Sequence, residues 1–339
     1  MLSNAFSLLA TALAASTLAS GQTFTDCNPT QKDCPPDPAF GKGKVTCDFT
    51  KGACKDIKPM AGTTVTYGKE GAFLTVKKES DAPTMRTDKY LFFGRLDVEL
   101  QAANGAGIVS GAVLQSDDLD EIDWEFVGKD NAQGQTNYFS KGDTTTFDRG
   151  AYHPVSNPLT STHTYSMEWT SKAINWQIDG KTVRTLEAAK VGDKFPQTPM
   201  QVKVGAWVAG KQSMPQGTRD WAGGMVDFSK APFNFIIKKL TIVDYAGGDK
   251  PATKHVKQYS YGDRSGLAKS IKVSNQWIKV GDGNKTGPGA AKANSNTTVS
   301  ATAKPSPSPS PSKSEGVSVS MTVNSLLFFG TCVLARFVL

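Results

Sequence analysis

The sequence predicts an all-β, antiparallel sandwich of jelly-roll type, on three observations. Apolar and polar residues alternate over many short runs, Gly-rich turns separate those runs at short spacing, and no stretch keeps a helical period for ten residues. The alternation is clearest over residues 91–100, where Arg95, Asp97 and Glu99 share one face and Leu96, Val98 and Leu100 the other. Residues 176–183 read as a hairpin closed by Asp179-Gly180, a dipeptide suited to the left-handed backbone of a tight turn. Further strands are expected at 73–77, 107–115, 135–140, 162–169, 200–209 and 233–245, with one short helix at 185–191.

The chain divides by composition. Residues 1–21 hold a short apolar run and then small residues, with cleavage expected after Ala19 or Gly21, as in a secretory signal peptide. Residues 22–248 are long enough for one domain with a real core. From 250 to 313 there are eleven Lys or Arg against Asp263 and Asp282, a balance of +9 in a chain of net +7, so the remainder is close to −2. The basicity is therefore concentrated in that stretch, and a nucleic-acid-binding reading of the whole chain loses its support. Residues 249–314 read as a basic, disordered Ser/Pro-rich stalk with N-glycosylation acceptors at Asn284 and Asn296. Residues 315–339 read as a removable lipid-anchor (GPI) signal with Ser314 as the attachment residue, the alternative being a single-pass anchor. A secreted, cell-surface monomer is expected.

Five cysteines are encoded, and Cys332 lies in the removable tail. Of the three connectivities open to the other four, local pairing of Cys27 with Cys34 and Cys47 with Cys54 is the simplest. Their spacing is too wide, and His too distant, for a zinc site.

Chemistry is carried by residues 120–126. On an extended strand Glu121, Asp123 and Glu125 project from one face and Ile122, Trp124 and Phe126 from the other. Like charges in a row raise the proton affinity of at least one member, which suits glycoside cleavage by an ionised nucleophile and a protonated acid. At about 3.3 Å per residue the Glu121 and Glu125 backbones lie roughly 13 Å apart, and two inclined Glu side chains can approach the ~5–5.5 Å of a retaining pair. Asp123, with the shorter arm, can bond Glu121 without reaching a sugar. The bland alternatives are a solvated acidic edge or a calcium cluster, which the apolar opposite face disfavours. This chemistry requires no metal and no organic cofactor.

Residues 118–125 nearly match the DxxDxDxE signature of family-eighteen chitinases, but Glu121 stands where that motif has Asp, and the helices of a (β/α)₈ barrel are missing. The pattern instead resembles the ExDxE strand of glycoside hydrolase family sixteen, and most of all its fungal Crh cell-wall transglycosylases. Gln135-Thr136-Asn137-Tyr138-Phe139, Phe147-Asp148-Arg149-Gly150, His163-Thr164-Tyr165, Trp221-Ala222-Gly223-Gly224 and the paired cysteines carry the same resemblance. It implies a concanavalin-like jelly roll in which Glu121 is the nucleophile, Glu125 the acid/base and Asp123 the assisting residue. It implies chitin as donor and β-glucan or chitin as acceptor. Gln135, Asn137, Lys203, Trp207 and Trp221 are the expected sugar contacts, with Gly205 leaving a flat gap beside Trp207. A lectin-like protein that binds wall glycans without cutting them is the second function class.

Overall fold

The computed structural model describes residues 25–146 and 148–277. In chain order the strands begin with β1 (Asp37–Pro38), β2 (Lys44–Asp48), β3 (Ile57–Pro59), β4 (Val65–Gly68), β5 (Gly71–Val76), β6 (Thr84–Thr87), β7 (Gly94–Gln101), β8 (Ile108–Ser116) and β9 (Glu121–Val127). There follow β10 (Gln133–Phe139), β11 (Ala151–Pro154), β12 (His163–Trp169), β13 (Ala173–Ile178), β14 (Lys181–Glu187), the one-turn helix α1 (Ala188–Val191) and β15 (Met200–Val208). Helix α2 (Gln216–Trp221), β16 (Phe233–Asp244), β17 (Gln258–Tyr261) and β18 (Ile271–Ser274) complete the order.

One sheet runs β11-β10-β9-β8-β15-β6-β3 and the other β14-β13-β12-β7-β16-β5-β4, with β2 joining β16. The strand pairings are antiparallel, and many neighbours are distant in sequence, as β8 with β15 and β7 with β16. The inner faces meet in one core. Leu96, Val98 and Leu100 of β7 and Ile122, Trp124 and Phe126 of β9 are all fully buried. Each such side chain contributes about 1.5–3 kcal/mol, enough together to pin β9 although its opposite face is crowded with carboxylates. Two indoles fasten it further: Trp124 Nε1 donates to Ser166 O across the sandwich at 3.1 Å, and Trp176 Nε1 donates to Asp123 O at 3.1 Å. The hairpin at Asp179-Gly180 is present, both residues having positive φ (48° and 81°). The expected helix at 185–191 is shorter, because β14 continues to Glu187 before α1 turns once. Cys27–Cys34 and Cys47–Cys54 are disulfide-bonded.

The expected boundary at Gly248 needs correction. The folded chain continues to Trp277, with β17 between β1 and β18 in a third sheet. Its Tyr259 is fully buried, packs edge-on against Phe92 and donates through its hydroxyl to Asp244 Oδ2 at 2.5 Å. Asp244 also accepts from Gly41 N at 2.7 Å, Phe92 N at 3.0 Å and Ala246 N at 2.8 Å, so one carboxylate ties an early loop, β16 and β17 together. Tyr259→Phe leaves a buried, charged acceptor short of one donor and is expected to cost about 1–3 kcal/mol, read as a lower melting temperature. An unchanged melting temperature would show that β17 adds nothing to the domain. The signal segment, Asn284, Asn296, Ser314 and Cys332 lie outside the described residues. Among the described residues no helix is long and apolar enough to cross a membrane.

Candidate active site

β9 supplies the carboxylates because it lies inside its sheet, where both neighbours fix its register. Gln115 of β8 and Phe139 of β10 stand opposite Glu121, Val113 and Asn137 opposite Asp123, and Gly111 and Gln135 opposite Glu125. Directly opposed residues share a face, so the pairings extend the site across the sheet. Lys203 of β15 lies opposite Val113, and Gly205 opposite Gly111, while Tyr152 of β11 lies opposite Gln135.

The turn before β9 is locked from below. Asp118 Oδ1 accepts from Ser116 Oγ at 2.5 Å and Thr198 Oγ1 at 2.6 Å; Asp120 accepts from Lys141 N at 3.0 Å and Gln197 N at 2.8 Å. Both are fully buried and serve to hold Glu121 at the start of its strand.

Along the acidic row the environments differ. Glu121 is half-buried and accepts from Gln115 Nε2 at 2.7 Å, and Lys203 Nζ donates to the same Gln115 through Oε1. Burial raises the Glu121 pKa, against which hydrogen bonding from Asp123 and Gln115 and the Lys203 charge pull down. Asp123 is 1% exposed, and both its carboxyl oxygens lack a conventional donor. A bond between it and Glu121 thus needs a proton, and burial together with the Glu121 and Glu125 charges pushes Asp123 well above the usual carboxylate range. Glu125 is 4% exposed with Oε1 unpartnered; burial, then the Glu121 charge, raises it to about 8. One strand face therefore presents a supported, accessible carboxylate and, two strand repeats away, a carboxyl group that keeps its proton at neutral pH.

The remaining expected contacts divide. Gln135 and Asn137 lie on the catalytic face, and Gln135 Oε1 accepts from Trp221 Nε1 at 2.8 Å, which fixes the half-buried Trp221 ring over the Glu125 end. Trp207 is only 2% exposed, in a satellite cluster with Val109, Val113, Met214 and Ala222, so it has no face for a sugar. Gly205 does not leave a gap either: a Cβ there would come within 2.6 Å of Thr84 Oγ1, so its lack of a side chain admits β6. Lys203 is 3% exposed, below the surface a substrate would touch. Tyr152 was missed by sequence reasoning; it is 58% exposed and shares the row of Glu125 through Gln135. The alternation of Tyr152 and Pro154 about buried His153 is its only sequence signal, in a strand of four residues. Beyond Gln115 and Lys203 the face opens into a cleft of about 300 Å³ walled by Arg86, Tyr90, Asp117 and Gln201.

Comparison with known proteins places the chain in a family. The profile of "Glycosyl hydrolases family 16" matches residues 56–223. Crh-like protein 4 of Aspergillus fumigatus is 49% identical over 259 residues, 76% of this chain and 55% of its own length. Crh-like protein 1 of the same fungus is 46% identical over 260 residues, 76% of this chain and 68% of its own. The chain thus spans little more than half of the first of these. The solved Crh5 transglycosylase in complex with NAG is 47% identical, with a TM-score of 0.68 over 74% of this chain and 100% of that one.

Proposed function

The chain belongs to glycosyl hydrolase family 16, among its Crh-like members, and from that premise we propose that it is a retaining transglycosylase of the fungal cell wall. Chitin is the donor, and β-glucan or chitin the acceptor. The observation that carries this reading is the division of ionisation along β9, with Glu121 supported as a carboxylate by Gln115 and Glu125 holding a proton up to about pH 8. Glu121 attacks the anomeric carbon, the glycosidic C–O bond breaks, and Glu125 gives its proton to the departing oxygen. The glycosyl group is then esterified to Glu121. Glu125, now ionised, takes the proton of an incoming hydroxyl as that oxygen displaces Glu121, restoring both groups. Asp123 shares a proton with Glu121 and orients it between the two displacements. A glycan hydroxyl as acceptor gives a cross-link; water gives hydrolysis.

The bound N-acetylglucosamine of the Crh5 structure supports an amino sugar as part of the substrate here. Attachment to the membrane through a lipid anchor at Ser314, with residence there or in the wall, belongs to the same proposal. Incubation of the secreted domain with chito-oligosaccharides and labelled β-glucan oligosaccharides tests it. Labelled hybrid products are expected; cleavage of neither polymer, with binding retained, would leave a lectin.

Because Glu125 handles the proton of both leaving group and acceptor, the acceptor must lie on its side of the anomeric carbon. Trp221 and Tyr152 flank Gln135 there. Trp221→Ala and Tyr152→Ala are expected to lower transfer by up to about tenfold, the value of one stacking contact, and to leave hydrolysis within about twofold, since water needs no platform. Both products are measured from one donor with and without acceptor. An equal fall in both would remove these rings from the acceptor role.

A further inference from the structure

Lys203 is a buried cation on the catalytic face for which the mechanism has no direct use. Its Nζ donates to Gln115 Oε1, and Gln115 Nε2 donates to Glu121 Oε2 at 2.7 Å. The direction of this chain is forced. An ammonium has donors only, so the amide must turn its oxygen to Lys203 and its nitrogen to Glu121. An NH₂ group in turn requires an acceptor, and an ionised carboxylate oxygen is the best one available. We propose that Lys203 is a positioning residue which, through Gln115, keeps Glu121 ionised and aimed for attack; the proposal rests on the nucleophile role given to Glu121 above.

Both Lys203 and Gln115 border the cleft, and charged groups from several elements face them. Arg86 on β6 repels the Lys203 charge, while Glu121 on β9, Asp117 beyond β8 and Asp26 in the N-terminal segment attract it. Beside the direct attraction between the two charges, Gln115 joins Lys203 to Glu121 by hydrogen bonds on both sides of its amide. Around Glu121 the other titratable groups on its own strand are Asp123, whose hydrogen bond favours the Glu121 charge, and Glu125, which holds its own proton; burial is what opposes that charge. Lys203 is the counterweight. Burial brings it down to about 8, so its cation is present over the range in which Glu121 must be ionised and is lost on the alkaline side.

Removing the cation favours the protonated nucleophile, so the Glu121 pKa must move up. Carboxyl ¹³C titration of glutamate-labelled protein, with the Glu121 resonance assigned by its loss in Glu121→Gln, reads that value without any substrate. Lys203→Met and Gln115→Met are expected to raise it by roughly one pH unit, and Lys203→Arg to restore it. The acid limb of kcat/KM for chito-oligosaccharide hydrolysis should move by the same amount. A structural role alone would lower activity at all pH values and leave the limb in place. If Lys203→Met fails to fold, Gln115→Met decides, since it breaks the relay with the cation still present. An unmoved Glu121 pKa in the folded variant overturns the relay. Retained turnover by Glu121→Gln overturns the nucleophile assignment instead, a different result.

Discussion

Glu121→Gln and Glu125→Gln are each expected to reduce turnover by at least about 10³-fold while preserving the fold. The substitutions keep shape and remove, in one case, the electron pair that bonds to the anomeric carbon and, in the other, the proton that leaves with the aglycone. Glu125 is buried with an unpartnered oxygen, so an amide in its place loses little hydrogen bonding. Asp123→Asn should fall less, because its carboxyl group acts on Glu121 and not on the sugar. Donor cleavage and glycan transfer are measured beside circular dichroism spectra; near-native activity in either Glu variant would sink the mechanism.

The second large effect is on stability. Glu125 has an ordinary pKa of 4.5 and about 8 in the folded chain, so between these values the folded state binds the proton more tightly than the unfolded one. Stability from a raised carboxyl group is full below the unfolded pKa and is lost as pH rises through the folded one. Asp123 and Glu121 shift in the same direction, as do Asp120, raised by burial to about 7, and Asp244, raised by burial to about 6. The protein should therefore be more stable near pH 5 than near pH 8. At about 1.36 kcal/mol per unit, discounted for coupling along the row, Glu125 alone accounts for on the order of 3 kcal/mol. Melting temperatures are expected to drop by roughly 5–10 °C from pH 5 to pH 8, and Glu125→Gln to flatten the slope. A flat wild-type profile would mean that the carboxylates are better solvated than their burial indicates.

The acidic strand was legible because both of its faces carry a signal, carboxylates on one and large apolar groups on the other. The hairpin at Asp179-Gly180 was legible because its turn chemistry is local. Short strands were not: β1 and β3 have two and three residues, too few to show alternation. The C-terminal sheet was hidden by averaging. Lys250, Lys254, Lys257, Arg264, Lys269 and Lys272 are exposed on its outside, and their charge, pooled with that of residues 278–313, masked the inward Gln258 and Tyr259. Alternation along β15 correctly assigned Lys203, Gly205 and Trp207 to one face. It could not give depth, which depends on Met214, Ala222 and Thr84 arriving from other parts of the chain.

The placing of the six tryptophans has an optical consequence. Trp124, Trp169, Trp176 and Trp207 are sealed from water, whereas Trp277 is 62% exposed and Trp221 sits half-buried beside Gln135 at the Glu125 end of the acidic strand. Trp124, Trp169 and Trp176 then give a constant, blue-shifted background of emission, and Trp277 gives a red one that Trp277→Phe would strip away. What is left to vary is the light from Trp221 and from Trp207, whose ring centre lies 6.5 Å from it, so an unlabelled glycan entering on the Glu125 side can be counted by the change in this one pair.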